Sequence, residues 1–411
     1  MNTRAWVLVA AMLALAACSS KDKKVDEPAK LLDIKSPTVR IQKIWSASVG
    51  GGGKKQRLGL GLGVDGDHLY AAGRDGEVAA FDLKTGKPLW RTKTELPLAG
   101  GTGVGADLVV VGSLDGQVVA LSSANGAQKW RADVKGEVLS SPAIAANAVV
   151  VRTVDGKLRG LAVADGKELW STEQQIPKLT LRGVAAPVVA RDMVISGFDN
   201  GRVLAVGIAD GATVWDSPVS PPHGRTELER LNDIDSAVKV VGDDVFVAGF
   251  QGRAAMLAID SGQVWWTHDV SSYRGVDVDD EQMYIATSLG EVVAMKRRSG
   301  AEVWRSDILK NRGLSAPTVV GDYVVVADLD GYVHFFDRAT GAIAGRAKTS
   351  GDRVTNPPVA VNGILYVISD KGDISALHGL PLGQRAAKAE PAPAPAPDAE
   401  RRAAAPPAPG G

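Results

Sequence analysis

A single cysteine in 411 residues excludes a good deal of chemistry. One thiol cannot form an internal disulfide, a cysteine-based zinc site or a haem-attachment motif. Net charge is missing too: 47 Lys and Arg balance 47 Asp and Glu, which argues against nucleic acid as a partner held by bulk electrostatics. Aromatic residues are scarce at 5%, leaving little material for a sugar-stacking pocket. The five histidines, His68, His223, His268, His334 and His378, are scattered without metal-ligand spacing. Asp277, Asp279, Asp280 and Glu281 do crowd together, but their spacing does not fit an EF-hand loop. They coincide with a turn between two strand patterns and read as a solvated turn. No Ser/His/Asp arrangement or carboxylate pair emerges, so no catalytic residue, metal or cofactor is expected.

What is present begins at the N-terminus. Trp6 to Ala16 is an apolar run of eleven residues after the lone charge of Arg4. It is too short to span a bilayer and suits the hydrophobic part of a secretion signal. It ends in Leu15-Ala16-Ala17-Cys18, the pattern of a bacterial lipobox, in which the cysteine thiol is acylated and becomes the first residue. Cys18 is thus the expected lipidation site. Ser19, rather than Asp, after it suggests sorting to the outer membrane, with the chain on its periplasmic face. Several acyl chains on one residue make a stable anchor where one chain alone is marginal. The expected organisation is a signal over 1–17, a lipidated flexible tether over 18–37, one domain over 38–382 and an Ala/Pro-rich tail over 383–411. The tail, with Pro391, Pro393, Pro395 and Pro397 alternating with Ala, cannot bury a core and reads as disordered.

The domain repeats itself. Asp75-Gly76 leads to Gly86 and Trp90, Asp115-Gly116 to Gly126 and Trp130, and Asp155-Gly156 to Gly166 and Trp170. Asn200-Gly201, Gln251-Gly252 and Leu289-Gly290 lead likewise to Trp215, Trp266 and Trp304. Asp330-Gly331 leads to Gly341, but Gly345 stands where Trp is due, and Lys371-Gly372 opens a copy that runs out at Leu380. Two β-type runs joined by a short turn precede each motif, as in Pro357 to Val361 and Ile364 to Ile368, joined by Asn362-Gly363. Four antiparallel strands every 40 or so residues make a propeller blade. The eighth copy lacks its last strand, and a lone strand around Trp45 has no repeat before it. Joining the two closes the ring and removes a free edge. The expected fold is all-β, an eight-bladed β-propeller closed by an N-terminal strand, with seven blades as the alternative count. Trp45 and the repeat tryptophans recur at one place in each blade, so they are expected to dock blade to blade. The runs Gly59-Leu60-Gly61-Leu62-Gly63 and Gly101-Thr102-Gly103-Val104-Gly105 precede no helix pattern and offer no phosphate cradle. They read as inner strands crowded at the ring axis.

The spacing between successive turn glycines is 40, 40, 45, 51, 38, 41 and 41. The two long intervals are consecutive, and their extra residues follow Trp170 and Trp215. Outer-to-inner connections emerge on one face, so both insertions should lie side by side on one rim. Non-repetitive loops on a rigid scaffold are where binding specificity is placed. Leu179, Leu181 and Arg182 in the first offer apolar and guanidinium anchors, and Asp233 and Asp235 in the second offer charge. The alternative is that Arg182 and an Asp pair only with each other and hold the loops; both roles can coexist.

The repeat is similar to that of quinoprotein (PQQ) propellers, which include alcohol dehydrogenases. Those enzymes usually carry adjacent cysteines beside the cofactor, and this chain has none beyond Cys18. From Cys18 to His378 the chain more closely resembles the BamB family of outer-membrane assembly lipoproteins. Leu179-Thr180-Leu181-Arg182-Gly183 and Glu227-Leu228-Glu229-Arg230-Leu231-Asn232-Asp233-Ile234-Asp235 carry the resemblance. It implies a non-enzymatic scaffold that binds the polypeptide-transport (POTRA) domains of BamA, alongside other subunits of the β-barrel assembly machine. Leu179, Leu181, Arg182, Asp233 and Asp235 would form the contact. Open outer strands could also receive an unfolded outer-membrane protein strand. A quinone-dependent dehydrogenase and a glycan-binding propeller are the alternatives.

Overall fold

Alternation of apolar and polar residues marks a half-buried outer strand, and the near-continuous apolar runs of the second and third strands mark buried ones. In the computed structural model each repeat forms one four-stranded antiparallel sheet, and eight such sheets follow one another along the chain. The structure describes residues 27–50, 59–181, 185–221, 225–226, 228 and 231–382. The expected secretion signal, Cys18, Arg182 and the Ala/Pro-rich tail lie outside them. No helix occurs among the described residues. Blade three shows the pattern: Ala143–Ile144, Ala148–Arg152, Lys157–Ala162 and Glu168–Glu173 pair in sequence order. Its second strand is buried throughout, whereas in its outer strand Trp170 is the buried residue.

The repeat Gly and the repeat Trp are two halves of one contact. Each Trp lies against the turn glycine of the next blade, so closely that a Cβ on Gly86, Gly126, Gly166, Gly211, Gly262, Gly300 or Gly341 would sit 2.5–2.7 Å from the ring of the preceding blade's Trp. The indole N–H donates to a carbonyl three residues before that glycine. Trp90 reaches Ser123 at 2.8 Å, Trp130 reaches Val163 at 2.8 Å and Trp215 reaches Ile259 at 2.7 Å. Trp45, Trp170, Trp266 and Trp304 do the same to Leu83, Ile208, Arg297 and Arg338. Seven of the eight blade junctions are made this way.

The eighth junction differs because the ring closes there. Val39–Ser48 pairs antiparallel with Asp373–Pro381, Val39 opposite Pro381 and Ser48 opposite Asp373. Blade eight therefore has no turn between its last two strands, and a Trp at the end of blade seven would have nothing to dock on. Gly345 occupies that position, and a Cβ there would meet Val39 Cγ1 at 2.6 Å. Residues 27–37, expected to belong to a free tether, instead lie along blade seven. The Ala29 amide donates to Lys310 O and the Thr38 amide to Ala344 O, both at 2.9 Å.

The glycine runs sit near the axis, as their size suggests. A Cβ on Gly59 would lie 2.1 Å from Leu139 O, and one on Gly103 would lie 2.2 Å from Pro142 O. The acidic turn at 277–281 is less solvated than expected. Asp277 is buried, pairs with Lys239 at 2.6 Å and accepts the Val319 amide. Asp279 accepts from the Tyr284 hydroxyl and from Arg338.

Two substitutions test this account of closure. Trp215→Ala should lower unfolding free energy by about 3–5 kcal/mol in a urea titration. Gly345→Trp, which restores the repeat, should also destabilise; a variant as stable as wild type would show that Val39 and Ile41 do not fill that space.

Candidate functional site

Strand direction fixes which connections share a rim. Each outer strand ends beside the turn between the second and third strands of its own blade: the Val134 amide bonds Gly116 O, and the Gln174 amide bonds Gly156 O. All outer-to-inner connections therefore leave on that rim. The two long ones bridge Glu168–Glu173 to Val188–Ala190 and Thr213–Pro218 to Lys239–Val241. They meet: the Leu181 amide donates to Asp233 Oδ2 at 2.5 Å.

The second connection is anchored in the core. Ile234 is fully buried among Ile195, Val203, Val219 and Val238. Its amide bonds Phe198 O, and the Phe250 amide bonds Asp233 O. That places the side chains on either side of Ile234, Asp233 and Asp235, near a buried ion pair. Arg152 holds Asp199 at 2.7 Å, with side chains 1% and 3% exposed, and its guanidinium lies over the Phe198 ring at 4.4 Å. Among the described residues, one buried cation thus faces three carboxylates. Burial pushes the Asp233 carboxyl up to about 7; the charge of Asp199 adds to this, while the Leu181 amide and Arg152 oppose it. Asp235 is raised well above the usual carboxylate range by burial and by Asp199 and Asp233. Its Oδ1 is closed to solvent and has no hydrogen-bond partner among the described residues.

Above these acids the first connection exposes apolar surface. Leu179 and Leu181 are 42% and 41% exposed, and Leu228 of the second connection is 65% exposed. Leu181 and Asp235 also line an axial cavity of about 1140 Å³, with Phe250, Tyr273 and Arg274. Phe250 and Tyr273 meet edge to face at 6.1 Å. Of the residues singled out in the sequence, Leu181, Asp233 and Asp235 come together here, and Leu179 is exposed two residues before Leu181; Arg182 lies outside the described residues.

Arg152 and Asp199 were not foreseen. A signal did exist for Arg152. Four residues before the turn glycine, the other blades carry Ala72, Gly112, Gly197, Ala248, Ala286, Ala327 or Ile368, and only blade three carries a charge. Nothing comparable marks Phe250 or Tyr273, which join the site through ring geometry.

Comparison with known proteins agrees with the architecture. The family described as outer membrane protein assembly factor BamB matches residues 42–97, 74–306 and 288–385. Outer membrane protein assembly factor BamB of Pseudomonas aeruginosa is 46% identical over 90% of this chain and 97% of its own length. Its counterpart from Alkalilimnicola ehrlichii is 44% identical over 92% and 97%. The crystal structure of BamB from Moraxella catarrhalis superposes with a TM-score of 0.76 at 28% identity, covering 82% of this chain and all of that one. A quinohemoprotein alcohol dehydrogenase from Comamonas testosteroni has a TM-score of 0.65 at 12% identity, over 82% of this chain and 76% of that one, and shares the fold alone. An eight-bladed ring, two inserted connections on one rim and relatives matched almost end to end lead to one conclusion: the chain belongs to the BamB family of outer membrane protein assembly factors.

Proposed function

We propose that the chain is a non-enzymatic scaffold subunit of the outer-membrane β-barrel assembly machine, anchored through lipidated Cys18 on the periplasmic face. Leu179, Leu181, Arg182, Asp233 and Asp235 bind the POTRA domains of BamA. The observation that carries this reading is the Leu181–Asp233 hydrogen bond, which locks two non-repetitive connections into one surface. Exposed leucines beside buried carboxylates, each with one oxygen unbonded among the described residues, suit a partner that brings an apolar side chain and a cation or amide donor. A partner cation would lower the pKa values of Asp233 and Asp235 and turn a strained pair of acids into a satisfied one. Rigid presentation on the ring keeps the ordering cost of binding low.

The acids give the site a pH signature. A carboxyl raised in the folded state keeps its proton after the unfolded chain has lost it. Its contribution to stability is therefore full below about pH 4 and is lost as pH rises through about 7. Asp233→Asn keeps an oxygen for the Leu181 amide and removes the ionisation. The variant should show a shallower fall in stability from pH 4 to 8 and be more stable at pH 8 by on the order of 1–3 kcal/mol, read from urea unfolding. An unchanged pH slope would contradict the raised pKa.

Binding should move the opposite way. Asp235→Asn should stabilise the free chain at pH 8 yet weaken recovery of BamA from detergent-solubilised membranes, and Arg182→Ala should empty the complex, at about 2–5 kcal/mol for loss of one partner of a buried charged contact. If folded variants recover BamA as well as wild type does, the contact lies elsewhere on the ring. If wild type recovers none, the partner itself is wrong.

A further inference from the structure

Residues 27–36 cross the outside of blade seven with no strand of their own, and a built cluster of side chains holds their main chain. Arg312 is buried and each of its three nitrogens donates: Nε to Asp328 Oδ2 at 2.7 Å, Nη2 to Asp330 Oδ2 at 2.6 Å and Nη1 to Ala29 O at 3.0 Å. Arg346 donates from Nη1 to Leu32 O at 3.1 Å and from Nε to His334 Nδ1 at 3.1 Å. His334 is fully buried, and with Nδ1 accepting, its Nε2–H donates to Asp328 Oδ2 at 2.9 Å. One buried carboxylate, Asp328, therefore orients both arginines, directly and through His334. Leu31 adds a side chain packed against the core beneath.

The direction of the crossing is fixed by these contacts. Asn311 and Lys310, which meet residues 27 and 29, lie in the connection from blade six to blade seven. That connection is on the rim bearing the two inserted loops. Thr38 meets Ala344 near the start of Ile343–Lys348, on the opposite rim. The chain therefore enters the ring from the loop-bearing rim. From Glu27 back to Cys18 there are nine chain steps, which span at most about 30 Å. Freed up to Val39, the chain would have a reach of about 70 Å and could leave from either rim.

We infer that Arg312 and Arg346 clasp residues 27–36 along blade seven so that the anchored chain departs from the loop-bearing rim and holds that rim toward the lipid surface. This rests on acylation of Cys18 and extends the proposed function by giving the scaffold an orientation. Arg312, Arg346 and His334 are positioning residues.

The test uses lipidated full-length protein on vesicles of phosphatidylethanolamine and phosphatidylglycerol carrying a headgroup acceptor. With the Cys18 thiol acylated, Ser350→Cys on the loop-bearing rim and Asp322→Cys on the opposite rim each supply one free thiol for a donor dye. Energy transfer should be at least twofold greater from position 350. Twenty Gly/Ser residues inserted between 22 and 23 should bring the ratio close to one, and Arg346→Gln should reduce it. Equal transfer from both rims in the parent protein, or more from position 322, overturns the inference. Failure to bind vesicles refutes the anchor and the orientation with it. In that event, hydrogen exchange at the Ala29 amide judges the clasp: it should be slow in the parent and at least tenfold faster in Arg346→Gln, and fast exchange in the parent refutes the clasp.

Discussion

The indole of one blade resting on the turn glycine of the next is the contact on which the ring depends. It does three things at once. The ring buries apolar area at the junction, its N–H satisfies a turn carbonyl, and the absence of a Cβ on the glycine sets how near the blades can come. Repeating that contact around a circle leaves few degrees of freedom. Closure then requires one junction of another kind, because the chain must start and stop somewhere. Val39, Ile41 and Gly345 are that junction, and the missing tryptophan is a consequence of topology.

A scaffold made rigid in this way can lengthen its connections at little cost to the core, since loop-closure entropy grows slowly with length. The two connections that are lengthened follow one another in the chain and share a rim, so they form a continuous surface. That surface departs from the stability optimum. Asp233 and Asp235 are held near Asp199 with Arg152 as the buried cation. Among the described residues Asp233 Oδ1 and Asp235 Oδ1 have no hydrogen-bond partner, and burying a carboxylate without full pairing is costly. Such a local departure is what a binding site on an otherwise consistent fold is expected to show.

Most of the fold was legible in the sequence because a repeat multiplies weak local signals. Asp-Gly turns, alternating strands and the Gly-to-Trp spacing each recur, the lone strand around Trp45 favoured eight blades over seven, and the structure has eight. The site was legible only in part. Interval lengths pointed to the two insertions, and Leu181, Asp233 and Asp235 lie together where those insertions meet. Arg152 and Asp199 belong to strand and turn positions of blades three and four, and their role depends on which blades are neighbours. The docking of residues 27–37 was illegible for another reason. Arg312 and Arg346 grip carbonyl oxygens, and main-chain contacts leave no mark on the sequence of the segment they hold. Composition alone made that segment look like a free linker.

The central claim is that the paired insertions, and not the blades, carry recognition. Hydrogen–deuterium exchange on the full chain, free and bound to the BamA POTRA domains, tests it most directly. Protection should appear at 176–181 and 231–236 and be absent from the outer strands Pro88–Lys93 and Glu302–Ser306, which lie elsewhere on the ring. Protection confined to outer strands, with the two connections unchanged, would contradict the account and make the blade edges the binding surface.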